Sequence, residues 1–265
     1  MKRDVSSRIV VRVTETADLV FAIAVATTSA EVEESFRATL DGVAVAPTEM
    51  PDAHGGRLHR LRVDPGELVV EYAAQVTGRD APRDADETEL VVYQRPSRYA
   101  ESDELAATAS AEFAGSGGDA ATLLAVSSWV GTRLAYVSGS SLPTDGATRT
   151  LLARRGVCRD FAHLCVALLR ARGLPARLVS VYAPGLEPMD FHAVVEAWVE
   201  GAWRVIDATT LAPRSSLLRI ATGRDAADTA FLTVLSGRAD LVDLRVGAVA
   251  DQLPDDDLDE LVSLG

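Results

Sequence analysis

Three side chains in this sequence could together make and break an acyl bond: Cys158, His192 and Asp207, in that order along the chain. A thiol attacks as its thiolate, so it needs a base to take the proton and a third group to orient the base. Cys158 stands in the run Arg155-Gly156-Val157-Cys158-Arg159-Asp160-Phe161-Ala162-His163-Leu164. From Phe161 the apolar residues Phe161, Leu164, Cys165, Leu168 and Leu169 recur at three- and four-residue steps, the period of a helix with one buried face. Gly173 and Pro175 end that helix. Cys158 is therefore expected in the first turn, where unpaired N–H groups and the positive end of the helix dipole favour a thiolate.

The elements that would carry the base follow downstream. Phe191-His192-Ala193-Val194-Val195-Glu196-Ala197-Trp198-Val199 is rich in β-branched and aromatic residues, and Glu200-Gly201 can turn it back into Trp203-Arg204-Val205-Ile206-Asp207. His192 opens the first strand of this hairpin and Asp207 closes the second, so antiparallel pairing brings them to the same end. His163 is a rival base that geometry rejects: on a helix of about 100° per residue it lies some 140° around from Cys158. It is expected to face outward or to make a structural hydrogen bond. Asp190 is expected to point to the same side as His192, in a solvated loop or as a substrate contact.

The second cysteine, Cys165, lies on the apolar stripe and reads as a small buried hydrophobe. Two turns and about 10 Å of rise separate it from Cys158, which a disulfide cannot span. Both thiols are expected reduced.

The motifs Gly156-Val157-Cys158-Arg159-Asp160-Phe161-Ala162-His163-Leu164, Gly173-Leu174-Pro175-Ala176-Arg177, Phe191-His192-Ala193 and Trp203-Arg204-Val205-Ile206-Asp207-Ala208-Thr209 resemble the core of the transglutaminase-like superfamily, in its bacterial branch, over roughly residues 118–240. The resemblance implies a papain-like arrangement with Cys158 as nucleophile, His192 as base and Asp207 as the group orienting it. It also implies a structural role for Arg159 and Asp160, and Gly223-Arg224-Asp225-x-x-Asp228 recurs in bacterial members.

The whole chain has 265 residues, of which 48% are hydrophobic and 25% charged, ordinary for a soluble globular protein. A formal charge of −13 argues against nucleic acid or an anionic membrane as partner. The start, Met1-Lys2-Arg3-Asp4-Val5-Ser6, has no apolar core followed by a small-residue cleavage site, and no run reaches a membrane-spanning length, so the expectation is a cytoplasmic protein.

Short strand-like runs at 8–13, 19–25, 35–40, 58–63 and 68–76, with turns at Asp41-Gly42 and Asp64-Pro65-Gly66, suggest a small antiparallel β-sandwich. Bacterial proteins resembling this one often carry such a domain. His54 and His59 fall in or beside its turns and read as surface residues. Residues 78–87 read as a loop, 90–94 as one more strand, 115–118 as a loop between helices, and 123–134 and 148–154 as helices packed on the nucleophile helix. Asp225 and Asp228 read as loop or helix-start residues, Leu241–Val249 as a closing strand, and 251–265 as a solvated acidic tail.

The expected architecture is α+β: an amino-terminal β domain over 1–95, a linker over 96–117, a papain-like, transglutaminase-like catalytic domain over 118–250 and the tail. The expected reaction is attack of the Cys158 thiolate on a peptide or small amide, with the Cys158 N–H holding the oxyanion and Trp129 or Tyr136 as candidates for a second donor. No cofactor or metal is called for. Hydrolysis is favoured over transfer to an amine, because Arg214, Arg219 and Arg224 would repel a protonated amine and no aromatic-rich run follows Asp207. Transglutaminase activity and a non-catalytic binding module are the alternatives.

Overall fold

Long strands of alternating burial lead the chain, in a computed structural model that describes residues 1–265. They are β1 (Lys2–Phe21), β2 (Glu31–Leu40), β3 (Val43–Ala44), β4 (Thr48–Pro51), β5 (Arg57–Val63) and β6 (Gly66–Thr77). Helices α1 (Glu87–Val92), α2 (Ala106–Phe113) and α3 (Asp119–Arg133) come next, then β7 (Ala135–Tyr136), α4 (Ala147–Ala153) and β8 (Arg155–Gly156). The remaining elements are α5 (Cys158–Ala171), β9 (Ala176–Tyr182), β10 (His192–Val199), β11 (Ala202–Ile206), β12 (Leu218–Gly223), α6 (Ala226–Thr229) and β13 (Leu232–Ala250). The fold is mixed α and β with antiparallel main sheets, as the motifs imply.

The seven strands of the first sheet run β3-β2-β6-β1-β5-β4, with β13 on the other side of β1. Residues 8–13 and 19–25, expected as separate strands, belong largely to the single strand β1, which ends at Phe21. The segment between them holds no Gly or Pro to turn the chain, and register shifts near Glu15 and Asp18 absorb the irregularity instead. The expected turn at Asp64-Pro65-Gly66 is likewise a joint: Val63 pairs with Ala17 and Gly66 with Val13, so β5 and β6 follow one another along β1. Pro65 sits where the ladder is interrupted and no backbone N–H is required.

Leu90–Gln94 is not a strand. The Asp86 side chain accepts from the Glu89 N–H at 2.8 Å, and this N-cap starts α1, overriding the β propensity of Val91 and Val92.

In the second half, α5 is buried from Asp160 through Arg170. It packs between α2, α3 and α4 and the four-stranded antiparallel sheet β11-β10-β9-β12. The two halves share a core: Tyr182, Leu218, Ile220 and Ala221 cluster with Ile9, Leu19 and Phe21 of β1. Tyr182 donates its hydroxyl to the Ile23 carbonyl at 2.8 Å.

β13 runs antiparallel along almost all of β1, from Leu232 against Phe21 to Ala250 against Arg3. The strand expected to close the catalytic domain thus completes the amino-terminal sheet. The β domain is made from residues 2–77 together with 232–250, and no single cut near residue 95 separates it.

The tail, expected to be solvated, is docked. Arg214 is 2% exposed and donates to Asp256 Oδ1 at 3.0 Å and to the carbonyls of Asp257 and Glu260 at 2.5 and 3.2 Å. Val205 donates to the Val262 carbonyl at 2.7 Å, and Leu264 is buried. A buried guanidinium needs acceptors, and the tail supplies them. No helix is long and apolar enough to cross a membrane.

Candidate active site

Cys158 is the first residue of α5, delivered there by the parallel pair β7–β8, in which Ala135 lies against Arg155 and Tyr136 against Gly156. Gly156 allows a close approach: a Cβ there would lie 2.6 Å from Asp160 Cβ. Asp160 Oδ2 accepts from the Val157 N–H at 2.8 Å and caps the helix from inside its first turn, while Oδ1 accepts from the Ser141 hydroxyl at 2.8 Å. Arg159 donates to Ser141 Oγ at 2.6 Å and to the Leu142 carbonyl at 2.8 Å. Arg159 and Asp160 therefore pin the loop after β7 to the start of α5. Ser141, which the sequence reading missed, is the bead between them.

His192 opens β10 and is 2% exposed. The turn at Glu200 and Gly201, with φ of 53° and 72°, pairs β10 with β11 in the register Val195 against Ile206. Asp207 comes one residue past that last pair, and its Oδ2 lies 2.7 Å from His192 Nε2. Its Oδ1 accepts from the Thr209 N–H at 2.9 Å and the Thr209 hydroxyl at 2.6 Å, which fixes the carboxylate. Burial alone would raise the Asp207 pKa, but the imidazole and these donors outweigh it and hold it below the usual carboxylate range.

The opposite balance acts on His192. Burial would lower its pKa, yet the Asp207 carboxylate and then the Cys158 thiol push it up to about 10. With Nε2 engaged by Asp207, Nδ1 is buried without a hydrogen-bond partner and is the nitrogen left to meet Cys158. Cys158 and His192 line one open cavity of about 700 Å³, and Cys158 is only partly buried. Cys165 is 1% exposed in the core, where burial pushes its thiol pKa well up.

The two candidate oxyanion donors separate. Trp129 donates Nε1 to Glu112 Oε2 at 2.8 Å and packs edge-on against Phe113, tied up on the α2–α3 surface. Tyr136 sits beside Cys158: burial raises its pKa to about 12, and so does the neighbouring thiol, against the pull of the Cys158 N–H. Tyr136 and Asp207 border a second cavity, of about 530 Å³, whose rim includes Leu258 and Asp259 of the tail.

His163 is fully buried, and does not face outward. Its Nε2 accepts from the Ala226 N–H at 3.1 Å, its ring stacks on Tyr99, and burial lowers its pKa to about 3. It is the structural bond expected as the other possibility. Asp190 lies just ahead of β10 at the cavity edge, accepting from the Phe191 N–H at 2.7 Å.

His59, expected on the surface, is 2% exposed and stacked on Phe36 at 4.0 Å. His54 is partly buried, 2.7 Å from the Tyr93 hydroxyl, with burial lowering its pKa to about 4. Asp225 accepts from the Tyr99 and Ala227 N–H groups, and Asp228 pairs with Arg224 at 2.9 Å. Arg214 and Arg219 are also paired, with Asp256 and Glu196, so none of the three arginines is a free cation beside the site.

A thiol at a helix N-terminus thus shares one cavity with a strand histidine that is held by a carboxylate beyond the neighbouring strand, the set of groups that a papain-like cysteine site would need, on a mixed α and β scaffold. A family model of the transglutaminase-like superfamily matches residues 107–208, which include all three side chains. The crystal structure of a candidate cysteine protease from Cytophaga hutchinsonii is similar over 96% of this chain and 92% of that one, at 32% identity and a TM-score of 0.87. The chain belongs to the transglutaminase-like superfamily. An uncharacterized protein of Mycobacterium leprae is 31% identical over 128 residues, 44% of this chain and 45% of the relative. One of Mycobacterium tuberculosis is 44% identical over 72 residues, 25% of this chain and 23% of the relative. The matched stretches span less than half the length of these curated relatives.

Proposed function

We propose that this protein is a cysteine-dependent acyl-transfer enzyme that cleaves peptide or amide bonds through Cys158, His192 and Asp207, with water as the acceptor. The observation that carries the reading is the His192–Asp207 contact at 2.7 Å, with Nδ1 left unpartnered toward Cys158. Nδ1 takes the thiol proton, and the sulfur attacks the substrate carbonyl. The Cys158 N–H lies against the Tyr136 hydroxyl, and a substrate carbonyl entering between them would take both as donors to its oxyanion. The imidazolium then protonates the leaving amine and the C–N bond breaks, leaving a thioester on Cys158. Water, deprotonated by Nδ1, attacks the thioester; the acid leaves and the thiol is restored.

The paired arginines remove the electrostatic argument against an amine. Hydrolysis is supported instead by the open cavity in which Cys158 lies only partly buried, where water can reach the sulfur. An amine acceptor must compete with water at about 55 M, which requires a water-poor site. The reduced thiols are compatible with a cytoplasmic setting, which we carry as part of the proposal.

The test is turnover of a peptide library by wild type and Cys158→Ala, with product masses read in millimolar primary amine. Free acids, absent with Cys158→Ala, are expected. A dominant amine adduct would place the protein among amine-transferring enzymes, and undiminished turnover by Cys158→Ala would remove the thiol mechanism.

A further inference from the structure

The cavity that holds Cys158 has a far wall from β13, an element that contributes nothing to the three catalytic side chains. Along its length β13 is hydrogen-bonded to β1 alone, which leaves its other edge free. Three consecutive residues, Leu232, Thr233 and Val234, all border the cavity. Side chains alternate across a strand, and the register here is regular, against Phe21, Val20 and Leu19. A face of the strand cannot present three residues in a row, so the free edge itself borders the cavity, with its unpaired N–H and C=O groups.

Farther along, β13 bulges. Leu241 lies against Val11 and Leu244 against Ile9, with Val242 the extra residue of a register shift, so Leu241 and Leu244 share a face. Both line the cavity, as do Phe231 and Phe191, whose rings stack at 5.3 Å. Leu241 is 47% exposed and Val234 40%, a cost in water that a bound apolar group would relieve. The charged residues of β13, Arg238, Asp240, Asp243 and Arg245, stay out of this lining. Beyond His192, its charged members are Asp190 and Arg159, at the Cys158 end, and Arg159 is tied to Ser141 and Leu142.

We propose that the cavity takes an extended polypeptide segment, which adds as a strand to the free edge of β13 at Leu232–Val234. It sets a large apolar side chain against Phe231, Leu241 and Leu244 and brings a nearby carbonyl to Cys158. Strand addition satisfies the edge with main-chain hydrogen bonds while a pocket reads alternate side chains. A fatty acyl chain or a small amide would leave those edge groups unpaired, which favours a polypeptide. The inference rests on Cys158 being the nucleophile.

The test measures alkylation of Cys158, so it needs no turnover. In a tripeptidyl acyloxymethyl ketone the thiolate forms a C–S bond at the methylene as the carboxylate leaves with its electron pair. Rates are taken by mass mapping of the Cys158 adduct for Leu, Gly, Asp and Lys versions and for backbone N-methylated Leu versions, each divided by the iodoacetamide rate of the same protein. The Leu reagent is expected to react at least about tenfold faster than the Gly or Asp ones, in the range one buried apolar side chain confers. N-methylation at one alternate amide should erase about as much. Leu241→Asp should collapse the Leu preference and favour Lys, whereas Val249→Asp, 58% exposed on the same strand and outside the lining, should leave the order unchanged.

Ready iodoacetamide labelling with flat rates across the peptide series would overturn this inference alone. A Leu preference indifferent to every N-methyl group would overturn the strand addition. Iodoacetamide labelling that prefers Cys165 would overturn the nucleophile assignment, and this inference with it.

Discussion

At the scale of single residues, the site is governed by where one proton rests. Asp207 is held anionic by Thr209 and by the imidazole, and in turn it holds His192 protonated up to about 10, far above the ordinary 6.5. The protonated His192 of the proposed mechanism should therefore persist through neutral pH and be lost only as pH approaches 10, giving an alkaline limb of kcat/KM there. Asp207→Asn removes the charge and keeps the shape. An opposite charge at this range moves a pKa by about 1–3 units, so the alkaline limb should fall by at least about one pH unit, with kcat/KM at pH 7 reduced on the order of a hundredfold or more. The same shift acts on stability, with the sign of a raised pKa. The contribution of His192 is fully present below 6.5 and is lost as pH rises through about 10. A pH–rate profile that does not move in Asp207→Asn would show that the carboxylate does not set the proton's place.

At the scale of elements, the placing of Cys158, the proposed nucleophile, depends on how α5 begins. β8 must pass directly over Asp160, and Gly156 is the residue that lets it: a Cβ would meet Asp160 Cβ at 2.6 Å and Oδ2 at 2.8 Å, displacing the cap on the Val157 N–H. Gly156→Ala should destabilise the fold by about 1–3 kcal/mol, the range for overpacking. It should also slow alkylation of Cys158 more than alkylation of an unfolded control, because the first turn of α5 shifts. Thermal unfolding and iodoacetamide kinetics check both, and an unchanged alkylation rate would detach Gly156 from the positioning of the thiol. This part of the fold was legible in the sequence because its signals are local: the helix period from Phe161, the Gly173 exit, and the Glu200-Gly201 turn between two strand-like runs. Local signals misled at Leu90–Gln94, where the Asp86 cap outweighed three β-prone residues, and at residues 8–25, where two runs joined into one strand.

At the scale of the whole molecule, what escaped the sequence is what pairs across long separations. Nothing near Leu241 says that it lies against Val11, and nothing near Arg214 says that Asp256 will neutralise it; of the three arginines read as free, only Arg224 has its partner, Asp228, within one helical turn. The same holds for the buried cluster that clamps the four-stranded sheet to α1. Glu196 of β10 accepts from Arg177 of β9 at 2.8 Å and from Arg219 of β12 at 2.6 Å, and Arg177 also reaches Glu89 of α1 at 2.5 Å while packing on the Trp203 ring at 3.7 Å. Burial would raise the Glu196 pKa, but the two guanidiniums override it and bring it down to about 2, from an ordinary 4.5. Glu196→Gln keeps the volume and leaves two buried cations short of a counter-charge, so it should cost about 3–5 kcal/mol. For a chain of this size that lowers Tm on the order of 10 °C. The sign with pH follows from a depressed pKa: the contribution of Glu196 is complete above 4.5 and is lost as pH falls through about 2. Urea unfolding of wild type and Glu196→Gln across pH 7 to 2 should show a stability gap that is constant down to about pH 4.5 and then closes, and a gap that stays constant to pH 2 would mean that Glu196 holds the clamp by shape and not by charge.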